Sequence, residues 1–221
     1  MAKRVVIDLE MCRVQKLYRC KRYPYATEII QIGAVMLDEA NEIVSEFSSY
    51  VKPEYGVVDN FIRQLTGISE KDVKSAQPLC DVVRRLLKWI GKNEVLFYAW
   101  SDTDYHQLKK ELLIKAVDVK EYDSLANQNN WIDYQLVFEE RFQFGRILSL
   151  KDALFYVELD PEGRLHDGLA DAYNTAKIIA TLDSNPEKKF LADRIRQSEQ
   201  NVLGFGTSLC SLLQGIKLQT A

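Results

Sequence analysis

Asp8 and Glu10 stand one leucine apart, directly after the apolar run Val5, Val6, Ile7. If this stretch is a strand, residues two apart point to the same face, so both carboxylates share one side of it. Two acids held that close repel each other and lose hydration, a cost that a bound cation removes. Alone, such a pair is too short a motif to be specific. Further acids follow in matching contexts. The apolar EVLFYAW leads into SDTD, and on a helix beginning there Asp104 falls on one stripe with Leu108 and Leu112. Asp102 then precedes the helix as an N-cap. Asp104 is the expected ligand and Asp102 the structural acid. Nearer the C-terminus, RLHDGLADAYNTAKI sets His166 just ahead of a helix. Asp171 lies inside its second turn, on the inward stripe with Thr175 and Ile178. An unpaired carboxylate there again asks for a cation, while Asp167 lies off the stripe as the capping acid. Hard carboxylate oxygens suit Mg²⁺ or Mn²⁺, and the absence of a Cys/His ligand set argues against zinc.

The elements that must position these residues can be read from apolar spacing. VVIDL, EIIQIGAVML and EIVSEFSSYV read as three strands, the last two joined across DEAN as a hairpin beside a buried strand. NFIRQLTGIS reads as a short helix closed at Gly67, and Ser69 with Asp72 forms a capping box for the next. Leu79, Val82, Val83, Leu86, Leu87 and Ile90 follow helical spacing up to Gly91. EVLFYAW is an interior strand feeding a helix through a polar turn, the place where α/β proteins put ligands. WIDYQLVFEERF holds a short strand and a helix. SLKDALFYVEL and DGLADAYNTAKIIATL are helical, and KKFLADRIRQSEQNVL forms one more helix. Strands first, then alternating helix and strand, give an α/β fold with a mixed sheet.

Composition excludes several classes. The chain has 221 residues, 47% of them hydrophobic and 28% charged, enough for one core-bearing body and too ordered for a disordered protein. No run of about 18 apolar residues and no signal-peptide core is present, so a soluble, cytoplasmic protein with no membrane association is expected. Cys12, Cys20, Cys80 and Cys210 lack zinc-site spacing and are expected as reduced thiols. Net charge is −3, yet RVQKLYRCKR carries Arg13, Lys16, Arg19, Lys21 and Arg22 with no acid. A local basic patch survives an acidic total.

The order D-x-E on a first strand, Asp at a mid-chain strand-to-helix turn, then His followed five residues later by Asp resembles the DEDD-type 3′–5′ exonucleases in their histidine-containing branch. Asp8, Glu10, Asp104, His166 and Asp171 carry the match. EIIQIGAV, LTGIS, NNWIDYQLVFEERF, SLKDAL and GRLHDGLADAYNTAKI extend it over most of residues 4 to 183, most like Eri-type exonucleases and bacterial KapD-type proteins. The middle motif departs from it, since relatives usually place a bulky residue between the two acids of SDTD, and Met11 replaces a small residue after Glu10.

The resemblance implies a ribonuclease H-like fold, a central mixed five-stranded sheet flanked by helices. It places the exonuclease domain at 1–185 and a C-terminal helical extension and tail at 186–221. It further implies that Asp8, Glu10 and Asp171 hold a catalytic metal, that Asp8 bridges toward a second, and that Asp104 acts through a water shell. Two Mg²⁺ ions are expected, with Mn²⁺ as substitute. His166, of a residue type that ordinarily titrates at about pH 6.5, would take the proton from attacking water. Glu10 and Met11 would contact the terminal nucleotide and its 3′-hydroxyl, with Phe61 and Leu65 bordering the terminal base. Arg19 and Lys21 on the basic segment would hold phosphates, while Tyr18, Tyr23 and Tyr25 stack bases. The expected partner is single-stranded nucleic acid with a free 3′ end, RNA over DNA. The expected product is nucleoside 5′-monophosphate. The resemblance also leaves open a KapD-type regulatory protein acting by contact and a polymerase-associated proofreading exonuclease.

Overall fold

A computed structural model describes residues 3–19, 23–92, 94–115 and 122–197. Its centre is a five-stranded sheet built around β1 (Lys3–Arg13), whose even and odd residues serve opposite layers. β2 (Thr27–Leu37) is almost wholly buried and runs antiparallel to β1, with Asp8 opposite Gly33 and Glu10 opposite Gln31. β3 (Ile43–Tyr50) alternates between core and solvent, as an edge strand with one wet face does. The β2–β3 turn is closed by the Asp38 carboxylate, whose Oδ1 accepts from the Ala40 and Glu42 N–H groups at 2.8 and 2.9 Å. β4 (Val95–Ala99) runs parallel to β1, and β5 (Trp131–Asp133) parallel to β4. The order β3-β2-β1-β4-β5 is the mixed five-stranded sheet expected from the sequence.

Helices cover both faces. α1 (Asn60–Thr66) ends at Gly67, whose φ of 80° gives the left-handed turn that stops the helix. α2 (Glu70–Lys74) begins with the Ser69/Asp72 capping box. α3 (Leu79–Ile90) and α4 (Asp102–Lys115) pack Leu79, Val82, Val83, Leu86, Leu108 and Leu112 against Val5, Ile7 and Leu9. A short α5 (Asp123–Ala126) leads to β5, from which α6 (Tyr134–Phe142) follows at once. α6, α7 (Leu150–Tyr156) and α8 (Gly168–Ser184) cover the opposite face around Val6, with Phe138, Leu154, Ala172, Ala176 and Ile179 in its core. Val6, Asp8 and Glu10 share strand parity, so the two acids belong to the α8 side of the sheet.

Residues 191–197 are helical, and Phe190 and Ala192 pack into the core on the α8 side. The tail expected beyond them lies outside the described residues. So do Cys20 and Cys210, whereas Cys12 and Cys80 are free thiols. Among the described residues no helix is long and apolar enough to cross a membrane.

Candidate active site

Three separate elements bring carboxylates to the end of β1. β1 supplies Asp8 and Glu10, and its register against β2 shifts between Glu10 and Met11, so a bulge ends the regular pairing where the second acid projects. α4 supplies Asp104 from its first turn, buried, with Oδ1 accepting from the Leu9 N–H at 3.3 Å. α8 supplies Asp171 from its first turn rather than the second, because the helix starts at Gly168.

α8 can come this close because both chains lack a side chain where they touch. A Cβ on Gly33 would sit 2.0 Å from the Gly168 backbone, and one on Gly168 would sit 3.2 Å from the Asp8 carbonyl. The helix N-terminus is pinned there by Gln31, whose Oε1 accepts from the Gly168 N–H at 3.0 Å. Asp167 caps it, its Oδ1 accepting from the Leu169 and Ala170 N–H groups. Glycine inside an apolar strand is itself a sign of close backbone approach.

Glu10, His166 and Asp171 each offer a ligand atom, and those atoms lie within 4.8 Å of one another. His166 stands on the loop before α8 with φ 64°, a backbone region uncommon for non-glycine residues. Its N–H donates to Asp171 Oδ2 at 2.9 Å, and its side chain is exposed. Among the described residues, Asp171 Oδ1 is buried without a hydrogen-bond partner.

The electrostatics match a site built for positive charge. Burial, then the charges of Asp104, Asp171, Glu10 and Asp167, push the Asp8 carboxyl well above the usual carboxylate range. Burial, then the charges of Asp171, Asp104 and Asp167, push Glu10 from 4.5 to about 8. Burial takes Asp104 to about 7 against the opposing Leu9 hydrogen bond. Asp171 is raised by burial too, with the His166 N–H pulling the other way. Carboxyls this perturbed, one with an orphaned oxygen, fit divalent ions with hard oxygen ligands.

The five residues of the sequence motif are thus on one site. Asp102 is the first residue of α4 instead of its N-cap, because Ser101 Oγ accepts from the Thr103 N–H; its carboxylate lies 3.4 Å from His106 on the surface. Met11 is partly buried against the core beside the bulge. Phe61 and Leu65 project from α1, 51% and 36% exposed. α1 is tied to both flanks of the site. The Arg13 guanidinium lies 4.3 Å from the Phe61 ring centre, and Arg164 donates to the Gln64 and Leu65 carbonyls.

Arg19 is exposed, with Nε donating to the Val14 carbonyl at 3.1 Å. Lys21 lies outside the described residues. Tyr23 does not serve as a stacking platform: it is fully buried, its ring stacked on Tyr55 at 4.7 Å and its hydroxyl bonded to the Thr27 carbonyl. The link made by Arg164 was not legible beforehand, since an arginine in a loop shows no partner in sequence.

The same arrangement of elements recurs in known proteins. Residues 5–179 match the exonuclease family RNase_T. ERI1 exoribonuclease 2 of Homo sapiens is 29% identical over 226 residues, covering 84% of this chain and 31% of the relative. The 3′-5′ exonuclease Snipper of Drosophila melanogaster is 28% identical over 176 residues, covering 70% of this chain and 60% of the relative. This chain therefore spans under a third of the human relative's length. The nuclease domain of 3′hExo, described as a DEDDh family member bound to rAMP, superposes with a TM-score of 0.67 at 22% identity, covering 85% of this chain and 95% of that one. With its acids gathered from β1, α4 and α8 and the family match running through all three, the chain is a DEDD-type member of the exonuclease family RNase_T.

Proposed function

We propose that this chain hydrolyses single-stranded nucleic acid stepwise from a free 3′ end, favouring RNA over DNA and releasing nucleoside 5′-monophosphates. The observation that carries the reading is the convergence of Glu10, His166 and Asp171 beside the raised carboxyls of Asp8 and Asp104. The preference for RNA is supported by relatives named as exoribonucleases.

Asp8, Glu10, Asp104 and Asp171 would hold the metal ions. Two Mg²⁺ ions, or Mn²⁺ in their place, would supply water activation and neutralise charge on the leaving oxygen when bound there. The chain's own work is positioning and proton transfer. The His166 imidazole accepts the proton of the attacking water at a ring nitrogen. Its backbone is held for that role by the N–H bond to Asp171 Oδ2. Glu10 and Met11, at the bulge, face the terminal sugar and its 3′-hydroxyl. Phe61 and Leu65 supply an apolar wall for the terminal base, whose flat face gains from such contact whatever its identity. Arg19 holds backbone phosphate beyond it, and Lys21 extends that contact along the basic segment.

End-labelled single-stranded RNA and DNA, incubated with Mg²⁺, Mn²⁺ or chelator, test the reading. Ion-dependent shortening one nucleotide at a time from the 3′ end is expected, with RNA the faster substrate. His166→Ala should retain the fold and ion binding, and lose about 100-fold or more in turnover. Internal cleavage, activity in chelator, or a near-unchanged rate in His166→Ala would each defeat the corresponding part.

A further inference from the structure

α1 is seven residues long, and its last carbonyls need partners from outside the helix. Gly67 N–H takes the Arg63 carbonyl, and the next two, Gln64 and Leu65, both accept from Arg164 Nη2. The guanidinium also fills the space left by Gly67: a Cβ there would lie 2.3 Å from Arg164 Nη1. A cation at a helix C-terminus is favoured by the helix dipole as well as by the two hydrogen bonds.

Arg164 lies two residues before His166, on a loop held at φ 70° at Gly163 and 64° at His166. The contact spans 99 residues of sequence and joins the helix bearing Phe61 and Leu65 to the loop bearing the imidazole. At the other end of α1, Arg13 stacks on Phe61 three residues past Glu10 on β1. The apolar face of α1 is therefore fastened to the strand of the acids at one end and to the histidine loop at the other.

We propose that Arg164 is a positioning residue that transmits the seating of the terminal base on α1 to His166, so that the imidazole is aligned when a nucleotide occupies the wall. The proposal rests on the reading of Phe61 and Leu65 as that wall. A misplacement near 1 Å is enough to matter, since errors of that size in aligned groups cost about 100-fold.

The test is a double-mutant cycle on end-labelled single-stranded RNA with Mg²⁺, measuring kcat and KM for Arg164→Ala, Leu65→Ala and the double variant. Arg164→Ala should lower kcat by about 100-fold, with KM changing less. Leu65→Ala keeps the carbonyl that Arg164 bonds but removes the wall whose seating Arg164 would relay, so in that background the same substitution should cost about tenfold less. Arg164→Lys, which keeps the charge and one donor, should recover part of the loss. If Arg164→Ala fails to fold, Arg164→Gln replaces it in the cycle. Additive losses, an effect confined to KM, or a kcat within twofold of wild type would each overturn the role. A wild-type chain that shortens neither RNA nor DNA overturns the nuclease reading itself, and this role with it. A wild-type that is active while the cycle is additive overturns the positioning role alone.

Discussion

α4 carries an acid of one buried cluster at its first turn and the cation of another at its last. At the C-terminal end, Glu28 and Glu111 are fully buried with Lys115 between them, bonded to both. Every oxygen there is used. Glu28 accepts from the Glu54, Tyr55 and Gly56 N–H groups, and Glu111 from the Ile29 N–H and the Gln107 amide. Burial alone would lower the Lys115 pKa, yet Glu111 and Glu28 outweigh it and hold the ammonium above its ordinary value. At the N-terminal end, Asp104 joins Asp8, Glu10 and Asp171; the Asp104 and Asp171 charges raise both Asp8 and Glu10, and among the described residues Asp171 Oδ1 has no partner. The chain can neutralise buried acid with its own lysine and does so where the need is structural. Where it leaves four carboxyls short of positive charge, the missing charge has to come from solution.

That contrast can be broken most forcefully at Lys115. Lys115→Met strands two buried glutamates and should cost about 3–5 kcal/mol in urea unfolding; a loss below 1 kcal/mol would put the two clusters on the same footing. Asp171→Asn keeps an acceptor for the His166 N–H and removes one negative charge, so the ion-free protein should become more stable near pH 8. Its turnover should nevertheless fall about 100- to 1000-fold. Thermal melting and RNA shortening read the two signs, and a less stable ion-free variant would contradict the picture of mutual repulsion.

The third effect is set by pH. A carboxyl raised from 4.5 to about 8, as Glu10 is, binds its proton more tightly in the folded chain. Its contribution to stability is present below 4.5 and is lost as pH rises through about 8. Without ions the melting temperature should fall across that window. Mg²⁺ at a concentration 100 times its dissociation constant should return about 2.7 kcal/mol, and most of it near the alkaline end. An equal ion effect at both ends would show that these acids do not titrate as a cluster.

Much of the site was legible because each acid sits in a periodic context. Strand alternation puts Asp8 and Glu10 together, and helical spacing separates Asp104, with Leu108 and Leu112 buried behind it, from Asp102 on the surface. Helix ends were less legible. Whether Asp102 caps α4 or begins it turns on a competition with Ser101 that spacing alone does not decide. Tyr23 shows a different gap. Beside five basic residues it reads as a surface ring, but its neighbours in space are Tyr55 and the Lys115 ammonium, both distant in sequence. The Glu28–Lys115–Glu111 cluster was illegible for the same reason, since only the folded sheet brings residue 28 to residue 115.

The meeting of Gly33 and Gly168 makes the span between β2 and α8 a hard-sphere distance between two main chains, and β1 is held at the same spacing because Asp8 pairs with Gly33. Side chains around it can drift in size and shape without stretching the gap that an ion must bridge. A single methyl group at Gly33, by contrast, would wedge the two apart and change the ionic radius the pocket accepts, leaving all five polar residues in place.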